Sequence, residues 1–190
     1  AIKPKSVYGK TKIKAEKIII SNCKKLGINY AILRYFNACG ASPSGKIGLI
    51  EKTDSLFKNI AIEIMKKKPI IKIYGNDYNT LDGTAIRDYI HVTDLAEIHL
   101  ISAKHLIEGG ESNLFNCGYG NGFSIIDIIN ELNKIINKNL KTTIGPRRPG
   151  DSEMIVSNVE KFMKCFSWKP KHNDLKYILK TAVDWEKILN

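Results

Sequence analysis

Two groups of residues in this chain have types and spacings that could do chemistry. Tyr8 and Lys12 lie four apart, which on a helix puts a phenol and an ammonium on one face. An ammonium beside a phenol favours the phenolate, and that makes tyrosine usable as an acid or base near neutrality. With eight tyrosines and a lysine-rich composition, the same spacing also suits a plain surface pair. The second group is the run 74–94, YGNDYNTLDGTAIRDYIHVTD, which gathers Gly75, Gly83, Asn76, Asn79, Arg87 and the aspartates 77, 82, 88 and 94. Gly and Asn tolerate left-handed backbone and let a chain pass close to a ligand. An Arg among acidic neighbours at the end of such a loop suits a bidentate hold on phosphate or carboxylate. A long surface hairpin is the competing reading, although long ordered loops more often carry function.

Arginine is scarce, and that makes each one informative. Among 30 basic residues only four are Arg, at 34, 87, 147 and 148, so each marks a place where a planar fork is wanted. Arg147 and Arg148 sit in GPRRPGD, residues 145–151, a rigid and doubly basic loop shaped like an anion clamp. The elements that must position these groups follow from periodicity. Residues up to Leu26 read as a helix with Ala15, Ile18, Ile19 and Cys23 as its stripe, ended by Gly27. A buried strand follows at 29–35, then a loop rich in Gly, Ser and Pro, a helix at 55–65 and a short strand at 70–74. Thr93 and Asp94 are placed to cap a helix to about 107, with Ala96, His99, Leu100 and Ala103 inward and His99 a core histidine. A strand at 114–117 leads through a glycine-rich turn to a Ser124-capped helix. A short helix at 158–165 precedes a last one at 174–189, which points Leu175, Ile178, Leu179, Ala182 and Trp185 inward. Helix, strand and glycine-rich loop in this order describe an α/β chain, whose ligands sit beyond the carboxyl ends of parallel strands.

The bulk numbers exclude several classes. A net charge of +11 invites a nucleic-acid reading, but lysines scattered among Ile and Asn form no binding stripe. Lys66–Lys68, the one dense basic run, suits a solvated helix end. No apolar run approaches the roughly 18 residues of a membrane span. Cys23, Cys39, Cys117 and Cys165 form no CxxC pair, which suits reduced thiols in the cytoplasm, and the histidines lack zinc-ligand spacing.

Taken in order, the motifs resemble the UDP-glucose 4-epimerases, which are extended short-chain dehydrogenases/reductases. They are Tyr8-Gly9-x-x-Lys12 with Glu16; Leu33-Arg34-Tyr35-Phe36-Asn37; Gly75-Asn76-Asp77-Tyr78; Asp82-Gly83-Thr84 with Arg87-Asp88-Tyr89-Ile90-His91-Val92; Asp94-Leu95-Ala96; Asn116 with Gly118; and Arg148-x-Gly150-Asp151. The resemblance implies NAD as cofactor and UDP-glucose and UDP-galactose as substrates, interconverted by transient oxidation at sugar C4. Tyr8 would take the proton from the 4-hydroxyl, and Lys12 would poise Tyr8 and hold the nicotinamide ribose. Phe36 would lie by the nicotinamide and Asn37 by the diphosphate. Leu56, Lys72 and Tyr74 would line the nucleotide, Arg87 and Arg148 would grip the diphosphate, and Asp151 would contact the uridine ribose.

The chain also departs from the family pattern. The glycine-rich phosphate fingerprint of the NAD domain and the catalytic Ser/Thr segment before the Tyr are not in the sequence, which begins with Ala. The expectation is a carboxyl-terminal portion, inactive alone. Its residues 1–37, with parts of 75–117, would be the remainder of a Rossmann-like NAD-binding domain. Residues 38–74 and 118–190 would form a smaller, interleaved nucleotide-sugar domain. Ser55 stands where the family offers Asn or His, Lys58 where proline is common, and Ile155 at the position that gates N-acetylated sugars, whose acceptance stays open. The intact protein is expected to be a homodimer through the helix that follows Tyr8, with no nucleic-acid or membrane partner. Rival readings are another nucleotide-sugar epimerase or dehydratase, and a UDP-sugar-binding protein without catalysis.

Overall fold

A computed structural model describes residues 6–51 and 53–190. The chain runs α1 (Val7–Leu26), β1 (Ala31–Tyr35), β2 (Asn37–Cys39), α2 (Leu56–Ile64), β3 (Ile70–Tyr74), β4 (Ile86–Arg87), β5 (Tyr89–His91), α3 (Val92–Ile107), β6 (Asn113–Cys117), β7 (Phe123–Ser124), α4 (Ile125–Ile136), β8 (Lys141–Gly145), β9 (Met154–Ile155), α5 (Glu160–Phe166) and α6 (Leu175–Leu189). Three parallel pairs carry it: β1 with β6, β2 with β5, and β3 with β8. A fourth sheet orders β7-β4-β9, antiparallel on one side of β4 and parallel on the other. Parallel pairing with helical crossovers is the α/β class expected from the order of elements.

Caps set where the helices start. Ser6 accepts from Gly9 N–H at the head of α1. Ser124 and Asp127 form a reciprocal capping box on α4, and Asp174 opens α6 by accepting from Lys176 N–H. The head of α3 differs from expectation. Its cap is His91, whose Nδ1 accepts from Thr93 N–H at 3.2 Å, which leaves the Asp94 carboxylate free for a buried role.

The core joins α2, α4, α6 and the strands around Ile73, Ile90, Phe115, Ile128, Leu132, Ile178 and Leu179. Leu175, Ile178, Leu179, Ala182 and Trp185 of α6 are all buried, as their spacing predicts. Two other expected faces are corrected. On α3 the inward residues are Leu95, Ile98 and Ser102, while Ala96, His99, Leu100 and Ala103 are exposed. Apolar residues surround this helix, so two stripes compete and periodicity cannot choose between them. His99 is therefore no core residue; its Nδ1 meets Leu95 O of its own helix. On α1 no residue is buried, and Ile18 is 61% exposed. Strand β1 is half-buried rather than buried.

Candidate functional site

Where β3 and β8 end side by side, the register closes at Tyr74 opposite Gly145. The two chains then diverge into the loops 75–85 and 146–153. Between these loops, the carboxyl end of β2 and the head of α2, a cleft of about 450 Å³ opens. Asn37, Leu56, Lys72, Tyr74, Arg87, Arg148 and Asp151 all line it. Tyr8, Lys12 and Phe36 are not among its lining residues. The remaining wall comes from Ser55, which stands where the family offers Asn or His, and from Ala38, Cys39, Asp54, Phe57, Ala85, Tyr89 and Ile125, which the sequence did not mark as site residues. Phe57 and Tyr89 look like core residues in sequence, and their rings do pack together at 5.0 Å.

The cations in the cleft are used unequally. Arg148 holds its guanidinium 4.5 Å from the centre of the Tyr74 ring, which Lys72 also approaches at 5.1 Å. Arg148 makes no ion pair among the described residues. Arg87, by contrast, is already paired within the chain. Its fork donates to the Asp151 carboxylate, to Ser152 O and Ile86 O at 2.7 Å each, and it is largely buried. The expected doubly basic clamp is corrected as well, because Arg147 turns away from its neighbour and binds Asp77. Asp151 is the ion partner of Arg87.

Beneath the cleft lies a carboxylate to which the sequence motifs assign no role. Asp88 is fully buried and accepts from Tyr119 N–H at 3.0 Å, Gly120 N–H at 3.0 Å, Ser157 N–H at 3.1 Å and the Ser157 hydroxyl. Its own backbone carbonyl takes the Asn37 amide side chain at 2.9 Å and the Asn37 N–H at 3.2 Å. One residue thus ties the β6–β7 turn, the segment after β9 and the cleft-lining Asn37 together. Its four donors come from residues far off in sequence, so no local pattern marks it.

A second buried network supports the turn after β2. Asp94 accepts from the Tyr119 hydroxyl at 2.7 Å, from His172 Nδ1 at 2.7 Å and from the Lys171 and His172 N–H groups. Burial pushes its carboxyl up, but the bonds from His172 and Tyr119 outweigh it and leave it below the usual aspartate value. His91 stacks on His172 with ring centres 4.8 Å apart and meets Thr181 Oγ1 at 3.1 Å. Burial, reinforced by His172, lowers its imidazole to about 4. Gly40, at φ +79, passes so close to this ring that a Cβ would stand 2.6 Å from it. Burial raises the Cys39 thiol well above its usual value and pushes Cys117 up to about 12, so both stay protonated and unreactive.

Tyr8 and Lys12 occupy the head of α1. The Lys12 ammonium is 5.2 Å from the Tyr8 ring centre, and Tyr8 is 71% exposed. Arg34 of β1 forks onto Glu16 at 2.6 and 2.5 Å and fastens the helix to the strand. A short connection, 27–30, reverses the chain between them, so the head of α1 and the carboxyl end of β1 face the same way. That end leads through the half-buried Phe36 into Asn37 and the cleft. Ile155, at the position expected to gate the sugar, pairs with Arg87 in β9 and is not among the cleft's lining residues.

Among the described residues no helix is long and apolar enough to cross a membrane, and no three His, Cys, Asp or Glu side chains cluster as metal ligands would. Known proteins resemble this chain over nearly all of it. The UDP-glucose 4-epimerase of Azospirillum brasilense is 37% identical over 187 residues, covering 98% of this chain and 54% of that protein. A crystal structure of UDP-glucose 4-epimerase from Stenotrophomonas maltophila with bound NAD and formylated UDP-arabinopyranose superposes with a TM-score of 0.89 at 30% identity, covering 96% of this chain and 55% of the other. The Brucella ovis enzyme in complex with NAD gives 0.85 at 34% identity, over 93% and 55%. The chain thus spans about half the length of the curated relatives it matches. The family model described as NAD dependent epimerase/dehydratase matches residues 1–118, more than half of the chain, and the chain belongs to that family.

Proposed function

We propose that this chain is the carboxyl-terminal portion of a UDP-glucose 4-epimerase, which interconverts UDP-glucose and UDP-galactose with NAD. The observation that carries the reading is the shared cleft: seven residues far apart in sequence, each of a type suited to a nucleoside diphosphate sugar, line one cavity. In this reading Lys72 and Tyr74 lie against the uracil, and Leu56 packs on the nucleotide. Arg148 meets the diphosphate as a cation without an ion pair among the described residues, with Asn37 donating or accepting beside it. Arg87, on the same wall, grips the diphosphate with Arg148 and holds Asp151 at the rim, where the carboxylate can also accept from a ribose hydroxyl.

Tyr8 is the proton-handling group at the sugar 4-hydroxyl. Lys12 stands beside its ring and reaches a ribose hydroxyl, and Phe36 offers an aromatic edge at the nicotinamide. These residues fit the cofactor in kind, since the phenol and amine are adjacent and solvent-facing at the end of α1 toward which the cleft-bearing strand runs. NAD, when bound, supplies the hydride acceptor and donor. Residues 1–37 with parts of 75–117 belong in this reading to the NAD-binding unit, and 38–74 with 118–190 to the nucleotide-sugar unit. The intact protein is a cytoplasmic homodimer through α1, with neither nucleic acid nor membrane as partner.

Calorimetry with UDP, and turnover of UDP-galactose by this chain and by one extended with an NAD-binding amino-terminal half, test the reading. The 190-residue chain is expected to bind UDP without turnover, and the extended chain to turn over. The exposure of Tyr8 outside the cleft favours a second reading, a UDP-sugar-binding protein without catalysis; UDP binding with no turnover in the extended chain selects it. Absence of UDP binding to either chain overturns both.

A further inference from the structure

We propose that Arg147 is a positioning residue that anchors the 146–151 loop so that Arg148 is presented, unpaired, to the cleft. The proposal rests on reading the cleft as a nucleoside diphosphate site. The two adjacent arginines have opposite surroundings. Arg147 donates from Nε to Asp77 Oδ1 at 2.6 Å and from its fork to Asp77 O, and its guanidinium lies 4.2 Å from the Tyr78 ring centre. Arg148 lies over Tyr74 on the cleft wall instead.

The anchor point is itself fixed. Tyr78 is buried, and its N–H donates to Gly83 O at 2.9 Å, so the ring beneath Arg147 belongs to a closed turn. Gly75, at φ +83, leaves the space for this contact. A Cβ there would stand 2.7 Å from Arg147 Cγ and 2.7 Å from the Tyr78 ring. The Asp77 carboxylate is exposed, so the ion pair by itself holds little. The stacking on a buried ring and the bond to a main-chain carbonyl make the anchor. At the far end of the loop Asp151 is tied to Arg87, and its N–H returns to Arg148 O at 3.1 Å. Arg148 therefore stands between two fastened ends.

The test compares Arg147→Ala, Arg147→Lys, Arg148→Ala and the double alanine variant of the full chain. UDP and uridine are the probes in calorimetry, and hydrogen exchange of the 146–151 amides is measured in parallel. Arg147→Ala is expected to weaken UDP about tenfold, the scale of one charged hydrogen bond, and to leave uridine within about twofold. It adds nothing on top of Arg148→Ala, because both act through the same guanidinium. Arg147→Lys, lacking the planar fork, does not restore UDP affinity. Exchange at Asp151 N–H quickens in Arg147→Ala while the rest of the chain keeps its protection. Additive losses in the double variant would make Arg147 a direct ligand and overturn the proposal, as would equal losses for UDP and uridine. Unchanged exchange at Asp151 overturns it whether or not UDP binds. If the parent chain binds neither probe, the nucleotide reading fails, and the exchange result alone decides whether Arg147 is the anchor.

Discussion

Helices α1 and α6 are both long and lysine-bearing, yet they live in different surroundings. In its 15 residues α6 buries Leu175, Ile178, Leu179, Ala182, Val183, Trp185 and Glu186, whereas α1 buries nothing in its 20. The region around α6 also contains a buried ion pair, Lys58 Nζ to Glu186 Oε2 at 2.7 Å, and a Trp185 indole that donates to Leu49 O at 3.0 Å. The region around α1 is held at the Arg34–Glu16 fork. The contrast teaches where the fold keeps its stability. The side of the fold built on α2 and α6 is a packed unit, while the segment carrying Tyr8 and Lys12 is tethered through the Arg34–Glu16 fork.

The sharpest way to break this contrast is to cut the Lys58–Glu186 pair. Glu186→Ala leaves an ammonium buried without a partner, and a loss of about 3–5 kcal/mol is expected in urea unfolding. Replacing both members by Met and Leu restores most of it, since the site then packs as core. A loss near zero for Glu186→Ala would mean that α6 is no better held than α1.

The His91–Asp94–His172 network gives the next effect. His91 is neutral in the fold, with its imidazole lowered from 6.5 to about 4. The unfolded chain therefore binds the extra proton first. Stability from this site is complete above about 6.5 and is lost as the pH falls toward 4. Asp94, held below the usual aspartate value, gives way only at lower pH, so the window between belongs to His91. Melting temperature should fall by several degrees between pH 6.5 and pH 4, and His91→Gln should flatten that slope even though it lowers the starting value. A slope that His91→Gln leaves unchanged would place the sensitivity elsewhere.

How far these regions were readable differs for physical reasons. The α6 face is legible because Leu175, Ile178, Leu179, Ala182 and Trp185 alternate with Lys, Asp and Thr, so a single stripe satisfies the 3.6-residue period. The α3 face is not, because Leu95, Ile98 and Ile101 compete with Ala96, Leu100 and Ala103. The arginines were marked as special by their rarity, and Arg148 does face the cleft. The distinct employments of Arg87 and Arg147 depend on Asp151 and Asp77, which lie 64 and 70 residues away, where no periodicity reaches. Asp88 looked like one more loop aspartate because all four of its donors are remote in sequence.

Arg34→Ala sharpens the contrast from the other side. It removes the fork that fastens α1, and about 1 kcal/mol of stability is expected to go with it. Hydrogen exchange should quicken along α1, while UDP affinity stays as in the parent chain. The same tether is sensitive to acid. The Arg34 guanidinium holds the Glu16 carboxyl below its usual value, so the contact is complete above the ordinary carboxylate range and is lost as pH falls through the lowered value. Loss of UDP binding in Arg34→Ala would show that α1 and the cleft are one unit.

The smallest effect is expected on the open face of α1. Ile18 and Ile19 are exposed, so Ile19→Ser removes little apolar contact and should change stability by less than about 0.5 kcal/mol in dilute solution. The comparison with Ile178→Ser, at a position with no exposure, makes the measurement internal, because that change puts a hydroxyl into the core. Concentration decides the matter. If α1 is covered by a second copy of the chain, parent stability rises with protein concentration and the cost of Ile19→Ser rises with it. If the cost stays small at every concentration, α1 stands open in this chain, and the contrast with α6 belongs to the protein in solution.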